Sequence, residues 1–285
     1  MNLIAALPLL VIFTVFSTSA EAQNPPNRQR ALEASDATGR LVIIGGGSIP
    51  EDVWSAVLKD YEPKAARVCV LPFASELPDT FARAEARFRE RGVLEIFQIP
   101  SRPSDEELKL LHRADVIWIP GGAQGRFMEA ISQSLATAIT ERFQTGATIA
   151  GTSAGAAVAS RLMIAGNATG ERGENSAVPE LARGLGLLPQ ALVDQHFTER
   201  RRLPRLLAAV LKHPELLGIG IDESTAAVIS GQTLAVVGSG TVTILDARSA
   251  KLTRNGAEKV ATRNLALHIL GRGESFDFSA RTAAR

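Results

Sequence analysis

The chain has 285 residues, 45% of them apolar and 21% charged, with 24 Gly and 14 Pro, a mix that can bury a core and excludes disordered, collagen-like and coiled-coil classes. Thirty-one basic against thirty acidic residues leave a net charge of +1, so no global field steers the protein toward nucleic acid or anionic lipid. The single cysteine, Cys69, excludes an internal disulfide and a cysteine-rich metal site, and its place in an apolar run makes it a core thiol.

Leu3–Phe16 is an almost unbroken apolar run, followed by Ser17-Thr-Ser-Ala-Glu-Ala22. This is the length of a signal-peptide core with small residues after it, and is short for a membrane span. Residues 1–22 are therefore expected to be a signal peptide, giving a periplasmic or extracellular protein with no membrane attachment after cleavage. Residues 23–39, with Pro25-Pro26, read as a flexible leader. Residues 40–285 are expected to form one domain.

From Arg40 apolar runs alternate with amphipathic stretches. Strands are predicted at Leu41–Ile44, Arg67–Leu71, Val93–Ile99, Asp115–Ile119 and Ala147–Ala150. Helices are predicted at Glu51–Leu58, Asp79–Arg91, Asp105–His112 and Phe127–Phe143. Continuous apolar strands alternating with helices indicate an α/β fold, a mostly parallel sheet covered on both faces. In the second half, Ile164–Pro179 is rich in Gly, Asn and charge and reads as a surface loop. Leu192-Val193 ends a strand and Arg200–Leu211 is a basic helix. Leu216–Ile221 is a strand. Ala226–Ser230, Thr233–Val237 and Thr241–Asp246 resemble a meander of antiparallel C-terminal strands, and Leu265–Leu270 is a late apolar segment.

Gly151-Thr-Ser-Ala-Gly155 is a G-x-S-x-G sequence directly after an apolar strand and before a helix. A nucleophile on such a turn needs small neighbours, because the backbone is strained and close-packed. Ser153 would then need a base, and the chain has four histidines. His112 and His213 read as surface residues. Two triads remain open on spacing alone: Ser153, His196 and Glu223 (or its neighbour Asp222), or Ser153, Asp222 or Asp246 and His268, the chain order of an α/β-hydrolase esterase. Gly45-Gly46-Gly47 lacks the spacing of a dinucleotide fingerprint and reads as glycines that let backbone approach a site. Neither a cofactor nor a metal is expected, since no His-x-x-x-His or cysteine set is present.

Gly151–Ala157, Val193-Asp-Gln-His-Phe197, Arg202-Leu203 and Gly218-Ile-Gly-Ile-Asp-Glu223 together resemble the cyanophycinases and the related peptidase E group of serine peptidases. The resemblance runs from Arg40 to about Phe278. It implies a three-layer α/β sandwich of the class I glutamine-amidotransferase type, with Ser153 as nucleophile, His196 as base and Glu223 as the orienting acid. It implies oxyanion donors at the Gly122 and Ala154 N–H groups. Substrate contacts would come from Gln124, Asp194, Gln195, Arg200, Arg202 and Arg205. The implied substrate is cyanophycin, a poly-aspartate whose side chains carry arginine, cut to β-Asp-Arg dipeptides. Arg201 and Pro204 stand where the family pattern has glycine, which leaves an aspartyl or isoaspartyl dipeptidase as an alternative. A non-catalytic secreted peptide-binding protein is the alternative of another class. A homodimer is compatible with this reading.

Overall fold

Successive residues of a strand point to opposite faces of its sheet, and here both faces are covered, so the strand sequences carry no polar alternation. Leu41, Ile43, Ile117, Ile119 and Ile149 lie in one apolar core, while Val42, Ile44, Val68, Val70, Val116 and Ala150 lie in another. The computed structural model describes residues 39–169, 175–255 and 259–284. The expected signal peptide, and the leader except for Gly39, lie outside the described residues. Gly39 itself is buried and donates its N–H to the Phe143 carbonyl at 2.6 Å, so it belongs to the folded domain rather than to the leader.

In chain order the elements are β1 (Arg40–Ile44), α1 (Glu51–Leu58), β2 (Arg67–Val70), α2 (Thr80–Arg89), β3 (Glu95–Gln98), α3 (Asp105–Leu111), β4 (Val116–Ile119), α4 (Gln124–Ala130), α5 (Gln133–Gln144), β5 (Thr148–Thr152) and α6 (Ala154–Ala157). There follow β6 (Leu162–Thr169), β7 (Asn175–Arg183), β8 (Ala191–Gln195), α7 (Leu203–Lys212), β9 (Leu217–Ile221), β10 (Thr225–Ser230), β11 (Thr233–Gly238) and β12 (Val242–Asp246). The chain closes with β13 (Lys251–Asn255), β14 (Lys259–Arg263), β15 (Ala266–Leu270), β16 (Ser275–Asp277) and β17 (Thr282–Ala284).

The main sheet has the order β17-β16-β11-β10-β1-β5-β4-β2-β3. Its β1-β5-β4-β2-β3 part is parallel, and the strands beyond β1 extend it antiparallel. It is a large mixed sheet, with α1 and α2 packed on one face and α3 to α6 on the other. A second sheet, β15-β12-β9-β8, continues the core on the α3–α6 side through Val193, Ile219, Ile221 and Ile244. Its outer face is covered by α7 through Leu206, Ala209 and Val210.

Three expectations are corrected. Phe127–Phe143 is two helices, because Ile131 is extended and the Ser132 hydroxyl accepts the Leu135 N–H at 3.2 Å, N-capping α5. The apolar period runs through the break, since Phe127, Leu135, Ile139 and Phe143 are all buried. Ile164–Pro179 contributes to the antiparallel hairpin β6–β7 rather than a surface loop; register shifts at Ile164/Gly166 and Asn167/Thr169 hide its strand pattern. Thr241–Asp246 does not join β10 and β11. The buried Asp222 carboxylate accepts the Thr241 N–H at 3.0 Å and its hydroxyl at 2.7 Å, drawing β12 across to β9 in the second sheet.

Beneath α1 and α2, Phe88 is fully buried with its ring 5.3 Å from Trp54 and 5.6 Å from Trp118, edge-on to both. Burial also raises the Cys69 thiol pKa well above its usual value, keeping it protonated and inert. Phe88→Ala leaves a cavity beside the stacked Trp54 and Trp118 rings. It should cost about 3–5 kcal/mol and lower the thermal midpoint by roughly 10 °C, as measured by calorimetry.

Candidate active site

The carboxyl ends of β1, β4, β5, β8 and β9 converge, the position at which open α/β sheets bind ligands. Between β5 and α6, Ser153 has φ 53° and ψ −113°, a left-handed backbone that is strained for a residue with a Cβ. The turn is held by a bond from the Ser153 N–H to the Ile44 carbonyl at 2.9 Å. Its flanking glycines are steric necessities. A Cβ on Gly151 would lie 2.2 Å from the Gly155 carbonyl oxygen, and one on Gly155 would lie 2.0 Å from the Ile119 carbonyl oxygen. The G-x-S-x-G spacing is thus set by how closely β5, α6 and β4 approach.

His196 follows β8 directly, and the parallel register Gln195↔Ile221 puts the residues after β9 beside it. Its Nε2 lies 2.9 Å from the Ser153 Oγ and its Nδ1 lies 2.5 Å from Glu223 Oε1. Ionised Glu223 can only accept, so Nδ1 carries the proton and Nε2 is left to accept the Ser153 hydroxyl hydrogen. The imidazole is nearly enclosed, whereas the Glu223 side chain is 36% exposed. Glu223 is held in turn from its main chain, whose N–H donates to the Glu199 carboxylate at 3.1 Å.

The glycine triplet after β1 makes room for this chain of bonds. A Cβ on Gly46, whose φ is 113°, would sit 2.2 Å from His196 Cε1, and one on Gly47 would sit 2.8 Å from Glu223 Oε2. The triplet's backbone also ties the two sheets together. The Gly45 carbonyl accepts the His196 N–H at 2.7 Å, the Gly46 carbonyl accepts the Ser224 N–H at 2.9 Å, and the Gly45 N–H donates to the Thr225 carbonyl.

The other triad order does not form. His268 lies on β15 opposite Ile244, its ring against Phe276 at 5.5 Å. Asp246 is bound by Arg248 and Arg281. Asp222 uses one oxygen on the Thr198 N–H and hydroxyl and the other on Thr241, so Glu223 rather than Asp222 faces the imidazole. Of the expected oxyanion donors, Ala154 opens α6, where an N–H has no intrahelical acceptor. Gly122 follows β4 with φ 146°, its Cα pressed against the Ala74 carbonyl.

The expected substrate contacts divide. Arg205 is buried and binds the buried Asp194 with both Nε (2.7 Å) and Nη2. Arg202 donates to the Gln195 carbonyl at 2.6 Å, to its side-chain oxygen at 2.5 Å, and to Asp194 at 3.4 Å. These four residues form an internal polar network behind His196, and the expectation that Arg205 and Asp194 meet substrate is corrected accordingly. Burial first, and then the Arg205 charge, push the Arg202 guanidinium down to about 10, with Arg200 adding to the repulsion, so Arg202 stays charged at neutral pH. Arg200 is exposed. Gln124, at the start of α4, donates its amide to the Ile164 and Ala165 carbonyls at 2.7 and 3.3 Å, linking α4 to the hairpin.

The basic helix starts later than expected, at Leu203, with Pro204 in its first turn where a missing N–H costs nothing. Arg200–Arg202 form the preceding turn, in which Arg201 has φ 51°. The position thus keeps a conformation natural to glycine, at a cost of about 1–2 kcal/mol for a side chain. Sequence reasoning missed Glu199, Ser224 and Thr241 as supports of the site, because their bonds run between segments distant in the chain. Among the described residues no group of three or more His, Cys, Asp or Glu is arranged to hold a metal ion. No described helix is long and apolar enough to cross a membrane.

A strained serine at a strand-to-helix turn, hydrogen-bonded to a histidine that is oriented by a glutamate, defines the nucleophile centre of an α/β serine hydrolase. The chain belongs to peptidase family S51, whose family model matches residues 41–237, a span that contains all three groups. It is 40% identical over 254 residues to a cyanophycinase of Synechococcus elongatus, covering 83% of this chain and 79% of that protein. It is 37% identical over 277 residues to a cyanophycinase of Trichormus variabilis, covering 90% and 93%. Its fold is similar to a crystal structure of a peptidase from an acI-B1 Actinobacterium, with a TM-score of 0.61 at 22% identity over 85% of this chain and 98% of that one.

The clearance around Gly46 sets a sharp test. Gly46→Ala places a methyl group inside the imidazole and must displace it from Ser153. Turnover should fall about 100-fold or more, while far-ultraviolet circular dichroism stays native.

Proposed function

We propose that this protein is an exported cyanophycinase, a metal-free serine peptidase that cleaves cyanophycin at its aspartyl linkages and releases β-Asp-Arg dipeptides. The observation that carries the chemistry is the hydrogen-bonded chain Ser153–His196–Glu223 at 2.9 and 2.5 Å. The substrate rests on the cyanophycinases to which the chain is 37–40% identical.

In this mechanism His196 Nε2 takes the hydroxyl proton as Ser153 Oγ attacks the scissile carbonyl carbon. Glu223 holds the Nδ1 proton and stabilises the imidazolium that forms. The Ala154 and Gly122 N–H groups face the developing oxyanion. His196 then gives its proton to the leaving amine, and the acyl-enzyme is released by a water that His196 activates. In this reading the exposed Arg200 supplies the guanidinium for a substrate carboxylate. Gln124 holds the β6–β7 hairpin through the Ile164 and Ala165 carbonyls, and Gln195 accepts from the Arg202 guanidinium.

Intact-mass measurement after a fluorophosphonate probe should show one adduct, absent in Ser153→Ala. Ser153→Ala and His196→Ala should each lower kcat by about 10⁴-fold or more. A digest of purified cyanophycin beside α-linked Asp-X and isoaspartyl panels should release β-Asp-Arg. Cleavage of the panels with cyanophycin untouched would assign a dipeptidase instead, and absence of any adduct on folded protein would favour a binding protein.

The export part of the proposal rests on the Leu3–Phe16 run and the small residues after it. N-terminal sequencing of protein from periplasmic or culture fractions should begin at Glu21 or Gln23. Protein beginning at Met1 and confined to the cytoplasm would overturn export and leave the catalytic reading intact.

A further inference from the structure

The strand that delivers the base is fastened at more than one point. The Gly45 carbonyl, accepting the His196 N–H, fixes where β8 ends. One point leaves a strand free to swing about it, so its direction must be set further upstream. β8 ends the second sheet, with β9 on one side, and the N–H groups of its other edge need acceptors from outside the sheet. All of β8 is buried, where an N–H without an acceptor is costly. The Gln195 N–H is satisfied by the neighbouring Asp194 carboxylate at 2.9 Å. The Val193 N–H reaches across to the Ser160 hydroxyl at 3.0 Å.

Ser160 lies just beyond α6, on the segment that continues from the nucleophile turn, and is fully buried. Its chain neighbour Ala159 and its bridge partner Leu188 are apolar and buried, so packing alone would be served by alanine. The oxygen is accounted for by the bond to Val193. Its backbone has little freedom. The Val158, Ala159 and Ser160 carbonyls accept the N–H groups of Leu185, Leu188 and Gly186 at 2.7, 2.9 and 3.2 Å. A Cβ on Gly184 would meet the Ser160 carbonyl oxygen at 2.2 Å. Val193 precedes His196 by three positions, roughly 10 Å along an extended strand. The bond therefore joins the nucleophile's segment to the base's strand well away from the Gly45 joint, and two separated points fix a direction.

We propose that Ser160 is a positioning residue for the reaction: its hydroxyl sets the angle of β8 and thereby the reach of His196 Nε2 to the Ser153 Oγ. This rests on the serine-peptidase reading given above, and adds to it a group that touches neither substrate nor the reacting atoms. His196 and Glu223 follow the paired strands β8 and β9, so freeing Val193 shifts the imidazole against Ser153 while Nδ1 stays with Glu223. The loss then falls on the chemical step and spares substrate binding.

The experiment sets wild type beside Ser160→Ala, which removes only the oxygen, and Phe88→Ala, a control that loses stability at the other face of the main sheet. Each is assayed below its thermal midpoint. In Ser160→Ala, kcat on cyanophycin should fall about tenfold with KM within about twofold. Phe88→Ala should keep kcat within about twofold of wild type although it is the less stable protein. Fluorophosphonate labelling of Ser153, which needs the activated hydroxyl and no cyanophycin, should slow in Ser160→Ala by about the same tenfold. Crystal structures should show the Oγ–Nε2 separation of 2.9 Å lengthened by roughly half an ångström in that variant. An unchanged separation, a kcat loss no larger than that of the control, or an effect on KM alone would overturn the role of Ser160 and leave the peptidase reading in place. Slower labelling with a longer separation, but with cyanophycin untouched by wild type, would keep Ser160 and reject the substrate. If wild type takes no probe and cleaves nothing, the peptidase reading fails, and the separation in the two crystal structures still decides for or against Ser160.

Discussion

The backbone of Gly45 and Gly46 is the joint on which the site depends. It leaves β1 in the main sheet, accepts the N–H of His196 from β8 and of Ser224 after β9, and donates to Thr225 at the start of β10. Two separate sheets are thereby locked at the ends of three strands. The nucleophile hangs from the same place, because the Ser153 N–H is bonded to the Ile44 carbonyl one residue earlier. Hydrogen bonds of this kind fix main-chain positions, and a catalytic chain of bonds needs its members placed within a fraction of an ångström. A Cβ at Gly45 would lie 2.0 Å from the Asp222 carbonyl oxygen and one at Gly46 would lie 2.2 Å from the imidazole, so the joint can be made only of glycine.

Behind His196 the network of Asp194, Arg205, Arg202 and Gln195 does a related job on the other side. Asp194 is almost wholly buried and receives both nitrogens of the Arg205 fork. An ion pair removed from water holds its geometry because breaking it strands a charge, at a cost of about 3–5 kcal/mol. The end of β8 is therefore rigid where it delivers the base. Asp222 serves the same end for β9: its carboxylate gathers Thr198 and Thr241 and leaves Glu223 to face the imidazole. Two adjacent acidic residues take different roles because Asp222 is bound by Thr198 and Thr241 while Glu223 meets His196 Nδ1.

The strain at Ser153 and the left-handed backbone at His196 and Ser224, with φ of 45° and 55°, all fall at the site, and at Ser153 the bonds that hold it come from other elements. The cleft beside them is lined by α2 from the far side of the sheet. The joined strand ends hold the reacting groups, and the α2 face beside the cleft carries the exposed Arg83 and Arg87.

Much of this was legible in the chain itself. Buried parallel strands read as continuous apolar runs because both of their faces meet helices, and the G-x-S-x-G spacing marked Ser153 because only small residues fit a turn packed against β4. The two candidate bases could not be separated by spacing, since His196 and His268 both follow or lie in apolar segments. Only the parallel pairing of β8 with β9 decides between them, by setting His196 beside Glu223. The fate of the arginines was likewise invisible: Arg200, Arg202 and Arg205 look alike in sequence, but one is exposed and two turn inward to Gln195 and Asp194. Local periodicity reports which residues are buried, because burial follows the geometry of a single helix or strand. Which polar groups face each other depends on contacts between segments 27 and 43 residues apart, and those exist only once the two sheets have been joined.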